Sequence, residues 1–265
     1  MIAGDIRDFE LVGRIVAGAD AVFHLAAVVS VLISLEDPQA TWEVNLKGTY
    51  NVLEAARQAK VKRLVYISSS AVYGECPKLP FKESFPPQPE SPYALSKRMG
   101  EELCSLYWRL YGLETVALRL FNVYGPRQNP FSRYANAIPN FTRRLLTGQA
   151  PTIYGNGNQT RDFVCIDDVV RAMELASRSR KAVGQVFNVG SGKRLSVNKL
   201  FADIQKILKT NAKPEFSPRK QGDVLHTWAD LTLAKKVLGF FPKDAFAPSL
   251  RETVLWFKNS GIFAK

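Results

Sequence analysis

Apolar residues along this chain recur in two rhythms. Continuous apolar runs occupy residues 21–27, 63–70, 114–121 and 185–190, and runs of that length read as strands buried on both faces. Amphipathic stretches at 9–17, 37–59 and 92–111 lie between them and predict helices. In the second helix Pro38 follows Asp37 at the first turn, where its missing N–H has no intrahelical partner to lose. Strands alternating with helices imply a parallel sheet covered on both faces. The pattern predicts an α/β fold with a doubly wound parallel sheet.

After Phe121 the rhythm breaks. A polar, Gly/Pro-rich loop at 122–134 precedes a helix at 135–147, a turn at 153–157, a short strand at 162–165 and a helix from Asp167. Further helices are expected at 197–209, 231–238 and 249–259. Residues 1–122 with about 163–190 are therefore expected to form the main sheet domain, and about 123–162 with 191–265 a smaller C-terminal lid. No repeats or low-complexity tracts interrupt it.

Hydrophobic residues make up 46% of the chain, and charge is scattered, as in soluble globular proteins. No stretch approaches the apolar length needed to span a bilayer, and the first ten residues carry no apolar run of a signal peptide. Cys76, Cys104 and Cys165 are odd in number and far apart, so neither a disulfide framework nor a metal site is expected, and the expected setting is the reducing cytoplasm. The net charge of +12 reads first as a solvated basic surface and next as attraction for a diphosphate-bearing substrate. Without a dense basic block or interleaved aromatics, it argues against nucleic acid as a partner.

The start of the pattern is unusual. A dinucleotide-binding fold opens with a strand leading into a Gly-rich turn at a helix N-terminus, and nothing of that form precedes the first strand here. The expectation is a fold entered partway, lacking its first β-α-β portion; roughly 50 further residues would be needed to supply it.

Chemistry gathers between Arg63 and Lys97. The strand at 63–70 ends in Ser68, Ser69 and Ser70, at the carboxyl edge where sites form in such sheets. Tyr93 and Lys97 are four apart at the start of the next helix and so share a face. A phenol titrates near 10, and a neighbouring ammonium lowers that value toward one useful to a base. Alone, the spacing fits a surface Tyr and Lys better, and three serines alone fit a strand-end turn.

The ordered set of motifs is more specific. Gly4–Asp8, His24-Leu25-Ala26-Ala27, Asn45 to Thr49, Ser68 to Gly74, Tyr93 to Lys97, Arg119 to Pro126, Tyr154 to Phe163 and Phe187 to Gly192 span most of the chain. With them the chain resembles the extended short-chain dehydrogenases, within them the NAD-dependent epimerases and dehydratases of nucleotide sugars, and most nearly the UDP-glucose and UDP-N-acetylglucosamine 4-epimerases. The resemblance implies a Rossmann-like dinucleotide domain and a nucleotide-sugar-binding lid. It implies NAD contacts from Asp5, Ile6, Leu25, Ala26, Ala27, Asn45, Ser68 and Val123. It also implies a catalytic set in which Ser69 holds the reacting sugar hydroxyl, Tyr93 removes its proton, and Lys97 contacts the ribose and tunes Tyr93. Substrate contacts are implied for Ser30, Ser69, Tyr154, for Asn122 and Arg161 at the diphosphate, for Arg219 and Asp223 at the second phosphate and nucleoside ribose, and for Phe141 against the uracil, a position that reads equally as core.

The dehydratases and decarboxylating relatives carry acidic residues where this chain has Ser70 and Ala71, so the resemblance favours 4-epimerisation through a 4-keto sugar. Arg127 to Pro130 and Ser30 point to UDP-N-acetylhexosamines alongside UDP-hexoses; Leu32 departs from a proline usual in the family. The alternatives are an inactive member binding nucleotide sugar, a partner or RNA, and a dehydratase or reductase. Helices 37–59 and 92–111 resemble those through which family members pair as homodimers.

Overall fold

Five helix starts are set by capping side chains: Asp8, Ser30, Asp37, Ser91 and Ser196 each accept the backbone N–H three residues on. The computed structural model describes residues 1–131, 136–219, 224–243 and 245–263. Its elements run α1 (Phe9–Val16), β1 (Ala21–His24), α2 (Val31–Glu36), α3 (Pro38–Thr41), α4 (Gly48–Gln58), β2 (Arg63–Ser69), α5 (Pro92–Tyr111), β3 (Glu114–Leu120) and β4 (Asn122–Tyr124). They continue with α6 (Ala137–Leu146), β5 (Thr152–Tyr154), β6 (Thr160–Arg161), β7 (Phe163–Cys165), α7 (Ile166–Arg178), β8 (Val186–Val189), β9 (Leu195–Ser196), α8 (Val197–Leu208), β10 (Glu215–Ser217) and α9 (Phe246–Asn259). Cations sit in the last turns of many helices, among them Arg14, Arg57, Arg109, Arg178, Lys206 and Lys258. There they oppose the negative end of the helix dipole, which gives part of the basic excess a structural reason.

The chain divides into two compact units. The first comprises Met1–Leu120, Val170–Val189 and Asp230–Phe241. Its sheet has the order β1-β2-β3-β8 with every pair parallel, and Ala21, Arg63 and Glu114 start in register. β2 is buried along six of its seven residues, as a strand covered on both faces must be. Leu53, Ala56 and Leu64, fully buried, form one side of the core with Tyr66, Cys104 and Tyr107. Each large aliphatic side chain there contributes about 1.5–3 kcal/mol by leaving water. α5 closes at Gly112, whose φ of 71° is a left-handed cap that suits glycine.

The predicted helix at 37–59 is helical throughout but not uniform: between α3 and α4, Trp42–Lys47 forms wider π-type turns. Asn45 lies inside that stretch. The predicted strand at 21–27 stops early, at His24, because Asn45 captures the backbone of Val28: its Oδ1 accepts the Val28 N–H at 2.7 Å and its Nδ2 donates to the Val28 carbonyl at 3.1 Å. The short α2 that follows was not expected from the pattern.

The second unit comprises Phe121–Val169, Gly190–Ala229 and Pro242–Lys265. Its core joins α6, α8 and α9 through Phe141, Leu200, Phe201, Ile204, Leu250 and Val254. Short two-stranded pairs, β4 with β7, β5 with β10 and β6 with β9, carry its loops. The division differs from the expected boundaries in two places. β7 pairs with β4 rather than with the main sheet, which draws the residues before Val170 into the second unit. Residues Asp230–Phe241 belong to the first, where the Asp230 N–H donates to the Phe81 carbonyl at 2.9 Å. Among the described residues no helix is long and apolar enough to cross a membrane, the three cysteines are free, and no acidic or Cys/His cluster could hold a metal.

Candidate active site

In the first unit the site begins at the end of β2. Successive strand residues face opposite ways, so Ser68 and Ser69 present their hydroxyls to different sides. Ser68 is buried and donates to Glu101 Oε1 at 2.5 Å. Its hydroxyl thus points inward, at a position where the resemblance implies a nicotinamide contact. Ser69, half-buried, accepts the Ala71 N–H at 3.1 Å and so caps the turn Ser70–Tyr73.

Ser91 caps α5 by accepting the Ala94 N–H at 3.1 Å, and Pro92 fills the first helical position. That fixes Tyr93 in the first turn and Lys97 in the next. Ser69 lies close enough to the Tyr93 hydroxyl to interact with it, so the two residues chosen from the sequence are neighbours. Burial raises the Tyr93 pKa, and Ser69 opposes that rise. Lys97 is 3% exposed; its Nζ donates to the Ile67 carbonyl at 2.8 Å and lies 5.2 Å from the centre of the Tyr66 ring. Burial lowers the Lys97 pKa to about 8. The ammonium is thus anchored to the strand through the Ile67 carbonyl.

β1 and β2 run in register, His24 beside Tyr66, so Leu25, Ala26 and Ala27 leave the sheet at the edge where Ser68 and Ser69 emerge. Leu25 is 52% exposed, although it is apolar. Asn45 is buried and gives its remaining amide hydrogen to Ser96 Oγ at 3.0 Å. It shapes this loop from behind instead of presenting a free amide. Ser30 spends its hydroxyl on capping α2, accepting the Ile33 N–H at 3.2 Å. Asp5 pairs with Arg7 at 2.7 Å, and hydrogen bonds from that arginine lower its carboxyl pKa to about 2. Ile6 packs closely on Gly48, where an added Cβ would lie 2.4 Å from its Cδ1.

This donor set fits one end of a nicotinamide dinucleotide. Tyr93 and Lys97 supply an O–H and an N–H for a ribose, and the exposed apolar Leu25–Ala27 edge suits a flat ring. Among the described residues no Gly-rich turn opens a helix at the sheet's carboxyl edge, so the pyrophosphate end has no such cradle here.

The second unit gathers the residues expected at the sugar nucleotide. Asn122 opens β4; its N–H donates to the Asp162 carbonyl at 3.0 Å, and its Oδ1 accepts from Thr227 Oγ1 at 3.3 Å. Arg161 ends β6, its Nη1 donating to the carbonyls of Thr160 at 2.9 Å and Leu225 at 3.2 Å. Tyr154 ends β5, and Gly155 after it lies under Arg219, whose Cγ would be 3.1 Å from a Cβ built there. Val123, expected at the cofactor instead, is half-buried in β4 opposite Val164. Phe141 is 3% exposed and packs edge-on against Phe201 at 5.7 Å, in keeping with the core reading of this position rather than the uracil wall. Asp223 lies outside the described residues.

Sequence reasoning missed Glu101. It follows Lys97 by the same four residues that separate Lys97 from Tyr93, and that spacing was the available signal.

The model of the NAD dependent epimerase/dehydratase family matches residues 1–190. The UDP-glucose 4-epimerase of Mycolicibacterium smegmatis is 39% identical over 260 residues, covering 97% of this chain and 82% of the relative. The solved UDP-N-acetylglucosamine 4-epimerase of Methanobrevibacter ruminantium, in complex with UDP-N-acetylmuramic acid, superposes with a TM-score of 0.93 at 38% identity, covering 98% of this chain and 83% of the other. The UDP-glucose 4-epimerase of Thermus thermophilus, in complex with NAD, does so with 0.89 at 36%, covering 97% and 84%. The chain therefore belongs to the NAD dependent epimerase/dehydratase family.

Proposed function

We propose that this chain epimerises C4 of a UDP-hexose or UDP-N-acetylhexosamine through a 4-keto sugar, with NAD as cofactor. The observation that carries the reading is the placement of Ser69 at the carboxyl edge of β2 and of Tyr93 in the first turn of α5, one helical turn before the buried Lys97. NAD, when bound, accepts the C4 hydride and returns it. The residues handle position and the proton. Ser69 hydrogen-bonds the C4 hydroxyl, and Tyr93 takes its proton and later returns it. Lys97 meets the cofactor ribose and, once a ligand covers the site, favours the phenolate. Asn122, Arg161 and Arg219 hold the diphosphate, for which guanidinium groups are well matched. Ser70 and Ala71 begin the turn after Ser69 and carry no acid or base, so elimination of water across C5 and C6 lacks its catalysts.

The same reading places the protein in the cytoplasm, where its three free cysteines stay reduced. It also makes the protein a homodimer through α4 and α5 with the segments leading into them. Incubation with NAD and either UDP-glucose or UDP-N-acetylglucosamine, followed by sugar analysis, tests it. The expected product is the galacto epimer. A 4-keto-6-deoxy product would make the chain a dehydratase, and retained UDP-sugar binding without turnover would make it a binding protein.

A further inference from the structure

Asp162 is fully buried, and four donors converge on its carboxylate. Oδ1 accepts the Ser191 N–H and the Ser191 hydroxyl, both at 2.7 Å. Oδ2 accepts the N–H groups of Gly192 and Ala229, both at 3.1 Å. Three backbone N–H groups and one hydroxyl thus make an anion nest that is filled from within the unit. The fit is tight, since a Cβ on Gly190 would lie 2.9 Å from Oδ2 and 2.8 Å from the Ala229 Cβ. Trp228 Nε1 adds a bond to the Gly192 carbonyl at 2.9 Å.

The backbone of the same residue reaches the candidate diphosphate contacts. The Asp162 carbonyl accepts the Asn122 N–H at 3.0 Å. The Asp162 N–H donates to Thr227 Oγ1 at 3.2 Å, and that hydroxyl donates on to Asn122 Oδ1 at 3.3 Å. Arg161 is the preceding residue, and the Thr227 N–H holds the strand beside it through the Thr160 carbonyl at 3.0 Å. One residue therefore ties three segments together: its carboxylate holds 191–192 and 229, and its backbone holds 122 and 227.

We propose that Asp162 is a positioning residue for the diphosphate of the substrate: its carboxylate, locked in the nest, sets where Asn122 and Arg161 present their side chains, without itself touching the ligand. The inference rests on the reading of Asn122 and Arg161 as diphosphate contacts. It accounts for an acidic residue beside an arginine read as a phosphate contact: the carboxylate faces inward, into the nest.

The test uses the full chain and two ligands, UDP by calorimetry and uridine by ligand-observed NMR. Asp162→Asn places an NH2 against donors in the nest, so the nest must open. UDP affinity should fall at least tenfold, with uridine affinity within twofold of the parent. Equal losses for both ligands, or a lower melting temperature with UDP affinity unchanged, would overturn the proposal and leave Asp162 a structural residue. Should Asp162→Asn not fold, Thr227→Val decides: it cuts the link from the Asp162 N–H to the Asn122 amide while sparing the nest. A threefold or larger loss confined to UDP supports positioning, and no loss overturns it. Arg161→Ala separates the two layers of argument, because full UDP binding by that variant refutes the diphosphate reading and the proposal with it.

Discussion

Glu101 receives Arg119 through two parallel hydrogen bonds, Nε to Oε1 and Nη2 to Oε2, each at 2.8 Å. Both side chains are almost completely buried, at 1% and 2% exposure. The Arg119 guanidinium also lies 4.7 Å from the centre of the Tyr73 ring. Removing one partner of such a pair leaves an uncompensated buried charge, which costs about 3–5 kcal/mol. Glu101→Ala is expected to lose that much in urea unfolding. A loss under about 1 kcal/mol would mean that the pair behaves as a surface contact.

His24 supplies a pH dependence. Its Nε2 lies 2.9 Å from Thr49 Oγ1, whose own proton goes to the Asn45 carbonyl at 2.5 Å. The threonine must therefore accept, and the neutral His24 carries its proton on Nε2. Burial, with the Lys97 charge adding to it, lowers the His24 pKa to about 4. The unfolded chain takes up this proton near pH 6.5, where the folded chain does not. Stability from His24 is thus complete above pH 6.5 and is lost as pH falls toward 4, by up to about 1.4 kcal/mol per unit. Urea midpoints at pH 7, 6 and 5 should fall more steeply for the parent than for His24→Gln; parallel series would refute the assignment.

Lys97 works in the same sense at alkaline pH. Folding lowers its pKa to about 8, so the folded chain releases a proton that the unfolded chain retains up to about 10.4. Stability should rise with pH from 8 upward, at up to about 1.4 kcal/mol per unit. Lys97→Met lacks that rise, so the parent should gain on the variant between pH 8 and 9.5. The range stops there because Tyr66, Tyr73, Tyr93 and Tyr107 all have raised pKa values and reverse the trend near 10. Epimerisation by the variant should fall by roughly 100-fold or more. An unchanged gap across the range would show that Lys97 is not held in the state its burial implies.

The sequence made β2 and α5 legible because each is specified locally. A continuous apolar run needs no distant partner to read as a buried strand, and Ser91-Pro92 marks a helix start on its own. The closeness of Ser69 to Tyr93 follows once those two elements are placed. What stayed hidden depends on distant partners. β1 stops at His24 because of Asn45, 17 residues beyond the Val28 it binds. Phe141 looks the same on a helical wheel whether it faces a ligand or Phe201, and only α8 decides. Asp162 reads as a polar residue in a motif until Ser191 and Ala229, 29 and 67 residues away, converge on it.

The last prediction concerns the face formed by Trp42–Lys47, α4 and α5. A hollow of about 880 Å³ there is lined by Trp42, Leu46, Tyr50, Met99, Leu103 and Leu106, with Glu43, Lys47, Glu102 and Arg109 around them. Leu95, Leu106 and Leu110 also reach solvent along α5. Contiguous apolar surface of this kind marks an interaction site, and both charge signs at its edge suit self-complementary pairing about a two-fold axis. Sedimentation should give twice the 29.6 kDa chain mass at micromolar concentration. Leu106→Asp places a charge where the partner would bury it and should shift the protein to monomer with its circular dichroism unchanged. A parent already monomeric at that concentration would remove the dimer from the proposed function and leave the Ser69–Tyr93 chemistry to be judged on one chain alone.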